Sequence, residues 1–238
     1  MKGEVISGTK KMADLIVSDS RSMVLLTRFG IDLGFGDKTI DQICKEKQIK
    51  KDFFLLLLNV FLNPDYFPNK RLKNIDVDLL LTYLANSHKY YMEVKIPLLR
   101  ELLQSFLPGM HHPVKVTLET FFDGYIQEVT EHIAYEEQVV FPYVSILLAP
   151  QMGEIPDKEF QEYGIRIFEK RHTDIEEKLS DLKNLMIKYL PPSETDRFLR
   201  IRIICELLDL EQDLVNHARL EDQILIPIVE QLELRVKR

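Results

Sequence analysis

"TEHIAYEEQVVFP", residues 130–142, sets a histidine four positions ahead of a glutamate, and the chain uses the device twice. Residues 215–229 read "VNHARLEDQILIPIV", so His132, Glu136, Gln138 and Pro142 recur as His217, Glu221, Gln223 and Pro227 at identical offsets. On an α-helix, positions i and i+4 differ by about 40° of rotation and about 6 Å of rise, so the imidazole and the carboxylate point the same way. One such pair is usually an exposed ion pair worth a few tenths of a kcal/mol. Two in register, each followed by the same Gln and Pro, call for a shared purpose.

Working outward, Gly and Pro cluster at "RFGIDLGFGDKT", "NPDYFPNKR", "LPGMHHP", "LAPQMGEIPD" and "LPPSET", with long apolar-periodic stretches between and no alternating β pattern. The expected fold is all-α. Two short helices are expected before about residue 63, followed by four long ones over about 76–106, 113–148, 157–189 and 194–234. Short connections favour an antiparallel up-down-up-down bundle. The expected domains are a small helical one at residues 1–70 and the four-helix bundle at 71–238. Thr39 with Gln42 and Ser193 with Asp196 read as capping boxes, and Gly30 as a helix stop. Pro142 and Pro227 are expected to kink or end their helices.

Of the six histidines, His88, His132, His172 and His217 fall one on each long helix, separated by 44, 40 and 45 residues. That is a two-fold pseudo-repeat which brings the four to one depth when its halves fold antiparallel. Metal-free, each buried imidazole would need another hydrogen-bond partner. Four imidazoles and two carboxylates without a thiolate suit iron, manganese or zinc, and six groups exceed what one zinc takes. Two ions fit better. If Glu136 and Glu221 both bridge, the protein fills about eight of the twelve positions of two octahedral ions. An oxo or hydroxo bridge would fill two more, leaving about one open position per metal for dioxygen, nitric oxide or peroxide.

Composition narrows the rest. The chain has 238 residues, 45% of them hydrophobic, and a net charge of −7, which disfavours binding to nucleic acid or to anionic membranes. No apolar leader opens the chain, and the longest apolar run, "FFLLLL" at 53–58, is too short to span a membrane, so a cytoplasmic protein is expected. Cys44 and Cys205 form neither a disulfide framework nor a thiolate site. No nucleophile elbow, Ser-His-Asp order, phosphate-binding glycine loop or zinc-deaminase signature occurs, and no catalytic residue is assigned.

Through "SHKYYMEVKIPLLRELL", "EHIAYEEQVVFPYV", "RHTDIEEKLSDL" and "NHARLEDQILIPIV" the sequence resembles the hemerythrin-like proteins, specifically the iron-sulfur cluster repair di-iron (repair of iron centres) family. The resemblance covers nearly the whole chain. It implies a hemerythrin-like bundle holding two iron ions in a non-haem di-iron centre, with His88, His132, His172 and His217 as terminal ligands and Glu136 and Glu221 as bridging carboxylates. It also implies a stress-response role toward nitric oxide or reactive oxygen, with damaged iron-sulfur proteins as partners. The alternative is a module that binds or senses dioxygen or nitric oxide without repair. The N-terminal stretch resembles the family's small first domain, but where that domain usually has adjacent cysteines after Gly-Ile-Asp, this chain has Leu33 and Gly34. A docking or homodimerisation role is left for it. Where family members often carry an acid before the third histidine, this chain has Arg171.

Other residues have two readings each. Glu128 and Asp213 sit one turn before His132 and His217, as acceptors for imidazole N–H groups or as solvated surface. Glu176, four residues after His172, lacks the following Gln and Pro and stays outside the ligand set, as a candidate outer acceptor or a surface pair. His111 and His112 belong to a helix start, about 30 Å from His132 along a continuous helix. Tyr91, Tyr125 and Tyr135 line the pocket or belong to the core.

Overall fold

Thr39 accepts a hydrogen bond from the Gln42 backbone N–H, and the Gln42 side chain accepts one from the Thr39 N–H, so the expected reciprocal cap opens the helix Ile40–Glu46. This comes from a computed structural model that describes residues 5–66, 76–148, 163–169, 173–190 and 197–236. The architecture is all-α, with no strand among the described residues beyond one isolated bridge between Lys11 and Thr39. The chain divides into two compact units: Met1–Ser87 with Arg219–Ile228, and His88–Ala218 with Val229–Arg238. The expected boundary at residues 70 and 71 lies outside the described residues.

The first unit holds four short helices before residue 63 where two were expected: α1 Met12–Ser18, α2 Ser22–Arg28, α3 Ile40–Glu46 and α4 Lys51–Leu62. Two breaks carry neither Gly nor Pro. Asp19 ends α1 by accepting from the Arg21 backbone N–H at 3.1 Å while pairing with the Arg21 guanidinium. Gln48 separates α3 from α4 at φ 57°, a left-handed conformation costing roughly 1–2 kcal/mol for a residue with a Cβ. It lets the Ile49 N–H reach back to the Cys44 carbonyl at 2.8 Å, and Gly30, at φ 60°, closes α2 by the same device with Ile31 and Leu26. All of the "FFLLLL" run but Leu55 is buried in α4, and Phe29 packs edge-on against Phe54 with ring centroids 5.0 Å apart. Each such buried side chain contributes about 1.5–3 kcal/mol. Asn59 ties in the start of the chain, exchanging hydrogen bonds with the backbone N–H and C=O of Ile6 at 2.8 and 3.1 Å.

The long helices follow. The first is α5 Val77–Tyr90 continued by α6 Ile96–Phe106, the second α7 His112–Tyr135 continued by α8 Phe141–Leu148. The third comprises α9 Ile165–Glu169 and α10 Thr173–Asn184, and the fourth is α11 Arg197–Leu220 continued by α12 Ile226–Val236. Contacts within the second unit fix their directions. Going up the first helix, His88 meets Glu137 and Arg100 meets Asp123, descending the second; the fourth descends likewise, from His217 beside His88 to Glu206 beside Lys95. Arg166 with Glu230 and Lys183 with Glu211 do the same for the third and fourth. The bundle is antiparallel, around a core that includes Leu99, Phe106, Phe122, Leu179, Met186 and Leu207.

One expectation changes at the third helix. Tyr163 and Gly164 are not helical, and the first described helical residue is Ile165, whose N–H is accepted by Glu233 Oε1 at 2.8 Å. A carboxylate from the fourth helix thus supplies the cap that local sequence lacks. The expected start at 157 and the capping box of Ser193 and Asp196 lie outside the described residues.

Pro97, Pro142 and Pro227 neither end nor break their helices. A π-helical turn precedes each, Tyr91–Lys95, Glu136–Val140 and Glu221–Leu225, and a fourth, Leu185–Tyr189, closes the third helix ahead of Pro191 in the sequence. In all four the proline stands six residues after the first residue of the turn. A proline ring strikes the carbonyl four residues back and offers no N–H; the wider turn moves that carbonyl aside. The residue before the proline then bonds five back: Ile96 to Tyr91, Phe141 to Glu136 and Ile226 to Glu221. At the end of the third helix, where the chain does stop, Arg200 donates to the carbonyls of Met186 and Leu190.

Candidate metal centre

The turns that absorb Pro142 and Pro227 begin on Glu136 and Glu221, and His132 and His217 stand four residues earlier on α7 and α11. Glu136 is 0% exposed. His132 Nε2 lies 2.5 Å from its Oε1, and His88 Nε2, arriving from α5, lies 2.7 Å from its Oε2. His217 Nε2 is 4.0 Å from the same Oε2 and 3.3 Å from His88 Nε2. The carboxylate therefore faces different imidazoles with its two oxygens. His88, Glu136, His217 and Glu221, all buried, can each offer one ligand atom, and the four atoms lie within 4.8 Å of one another.

Aromatic rings hold the imidazoles. Phe141 stacks on His88 with centroids 5.6 Å apart and planes 6° from parallel, Phe168 lies 6.2 Å from His132, and Tyr91 meets His217 edge-on at 5.7 Å. Burial pushes the Glu136 carboxyl up, but the adjacent His132, His217 and His88 outweigh it and hold it well below the usual carboxylate range.

The donor set fits a metal on one observation. His88 Nδ1 lies 3.1 Å from Glu137 Oε1. With Nδ1 turned to the Glu137 carboxylate as donor, Nε2 is the nitrogen that faces Glu136. Neither Glu136 oxygen has a partner with hydrogen-bond geometry among the described residues, close as the nitrogens are. Glu136 and three imidazoles converge within 4.0 Å in a buried site, a donor set whose carboxylate charge is balanced by a bound cation or by protons shared with the imidazoles. Imidazole and carboxylate without thiolate are the donors of a borderline or hard cation.

Glu137, which binds the outer nitrogen of His88, is the residue the sequence reading missed. Its only signal is the doubled acid Glu136–Glu137, matched by Glu221–Asp222. Of the acceptors expected instead, Glu128 pairs with Lys178 and Asp213 is buried. His172 lies outside the described residues, as does the side chain of Glu176. His111 and His112 are exposed at the start of α7. Tyr91 adjoins the cluster, Tyr125 is buried in the bundle core, and the Tyr135 hydroxyl donates to that of Tyr163 at 3.4 Å.

Residues 80–229 match the family described as Hemerythrin HHE cation binding domain. The chain is also similar to the iron-sulfur cluster repair protein ScdA of Staphylococcus haemolyticus (strain JCSC1435), 24% identical over 224 residues that span 93% of this chain and 98% of that protein. No solved structure matches it. No helix among the described residues is long and apolar enough to cross a membrane.

Proposed function

The chain belongs to the hemerythrin family of HHE cation-binding domains, and we propose that it is a non-haem di-iron protein acting in the repair of damaged iron-sulfur centres. Glu136 carries the proposal: a fully buried carboxylate whose oxygens face His132 on one side and His88 with His217 on the other is arranged to bridge two ions. In this reading His88, His132, His172 and His217 are terminal ligands, and Glu221 is the second bridge. A pair of irons held there supplies redox chemistry and an open position for a diatomic ligand such as nitric oxide or dioxygen. The protein's own part is to exclude water with Phe141, Phe168 and Tyr91 and to keep the imidazoles oriented. Similarity to ScdA over nearly the full length supports repair as the role and damaged iron-sulfur proteins as the partners.

A second reading has its own observation. The loop after Gly30 presents Leu33, 70% exposed, and Gly34 where a thiol pair would be expected. Repair that depends on those thiols is then lost, and reversible binding or sensing of dioxygen or nitric oxide remains. The deciding experiment treats a cluster-damaged iron-sulfur enzyme with the iron-loaded protein under reducing conditions. Recovered activity, absent with the His132→Ala, Glu136→Ala double variant, supports repair. Reversible optical changes with the gas and no recovery support sensing, and a parent protein that binds no iron ends both.

A further inference from the structure

We propose that Glu137 is a positioning residue for the metal centre: its hydrogen bond to His88 Nδ1 fixes the tautomer and tilt that commit His88 Nε2 to the ion, and so sets how firmly that ion is held. The inference rests on the di-iron reading and adds a residue to it. Three observations converge. Glu137 Oε1 lies 3.1 Å from His88 Nδ1, on the side of the ring away from Glu136. Phe141, four residues after Glu137, lies flat against the same ring, so one segment of the second helix controls both its plane and its outer nitrogen. The pseudo-repeat supplies an acid at the same offset, Asp222 after Glu221.

Imidazole ligands generally donate their second N–H to a carboxylate or carbonyl, and loss of that acceptor costs about 10–100-fold in metal affinity. Glu137 suits the task because its side chain is 48% exposed. Its stem reaches out to solvent while its Oε1 meets a ring that is itself buried. The position joins the interior of the site to solvent through one hydrogen bond.

The test compares iron release from the loaded full-length parent, Glu137→Ala, Glu137→Gln and Glu131→Ala, following transfer of ferrous iron to a coloured chelator. Glu131 is exposed on the same helix and bonds to Gln127, so it controls for loss of one surface charge. Expected is release about 10-fold or more faster from Glu137→Ala, with Glu137→Gln, whose amide oxygen still accepts, much nearer the parent. The metal-free melting temperatures of all four should agree, which separates ligand positioning from a fold defect. Parent-like release from Glu137→Ala overturns the proposal and leaves the iron site standing, and equal acceleration in Glu131→Ala overturns it in favour of a charge effect. A parent that takes up no iron removes the ligand role of His88, and this proposal with it.

Discussion

The Tyr143 hydroxyl donates to Glu233 Oε1 at 2.8 Å, and the same oxygen accepts the backbone N–H of Ile165, so one carboxylate ties the second and fourth helices to the first described turn of the third. Glu233→Ala takes the acceptor from the Ile165 N–H and leaves the Tyr143 hydroxyl the Tyr163 carbonyl at 3.5 Å. A buried donor left unsatisfied costs about 1–3 kcal/mol, so a loss of roughly 1–3 kcal/mol is expected in urea unfolding of the metal-free protein. Tyr143→Phe should cost less, because no donor is stranded. Equal stability of Glu233→Ala and the parent would show that the third helix does not depend on this cap.

Lys95 Nζ lies 2.6 Å from Glu206 Oε2, and the Lys95 side chain is 10% exposed. Breaking a pair this sheltered leaves one charge uncompensated, so Lys95→Met should destabilise by about 3 kcal/mol, whereas Lys95→Met with Glu206→Leu should recover most of the loss. A double-mutant cycle on unfolding free energies measures the coupling. Additive losses would mean that solvent already screens the pair.

Acid should act at two levels. Metal leaves as imidazoles protonate, so bound iron, followed by its absorption, is expected to fall below about pH 6. In the metal-free protein the adjacent imidazoles depress the Glu136 carboxyl, as Arg21 does Asp19 and Lys38 does Glu46: the Glu136 contribution to stability is present above the unfolded carboxylate pKa of about 4.3 and is lost as pH falls through the lower folded value. Glu136→Gln should therefore show a shallower fall in urea midpoint below about pH 4 than the parent. Iron binding unchanged at pH 4.5 would contradict a shell built mainly of histidine.

The two cysteines should react differently. Burial pushes the Cys44 thiol up to about 11, whereas Cys205 is exposed. With a disulfide reagent at pH 8, one thiol per chain is expected to titrate quickly and the second only on unfolding. Two fast thiols would mean that the first unit opens readily around Cys44.

The sequence makes the bundle legible because helical period and carboxylate spacing are both local. His132 and Glu136, or His217 and Glu221, share a face by arithmetic alone, and the repeat tells that arithmetic from chance. What stayed hidden is what crosses between helices or is built without Gly and Pro. Glu137 reaches His88 from another helix, and Glu233 caps a helix nearly seventy residues upstream. Asp19 and Gln48 stop α1 and α3 through a side-chain turn and a left-handed backbone, which residue type barely announces. Pro142 and Pro227 were legible as obstacles, but whether a chain breaks at a proline or widens to pass it depends on the packing that rewards continuity.

That widening changes what a residue number means in this bundle. A π turn is an α-helix with one residue added, so everything beyond it points about 100° away from where a uniform helix would aim it. The first, second and fourth long helices are thus each two azimuths welded end to end, and at Glu136 and Glu221 the seam falls on a carboxylate of the histidine–glutamate cluster. Removing one residue from Glu136–Val140 would leave an ordinary helix of nearly the same length, yet turn the whole downstream face, Tyr143 and Val144 included, out of the core. Substitutions at the seam are local matters; a shift in count there amounts to a different protein.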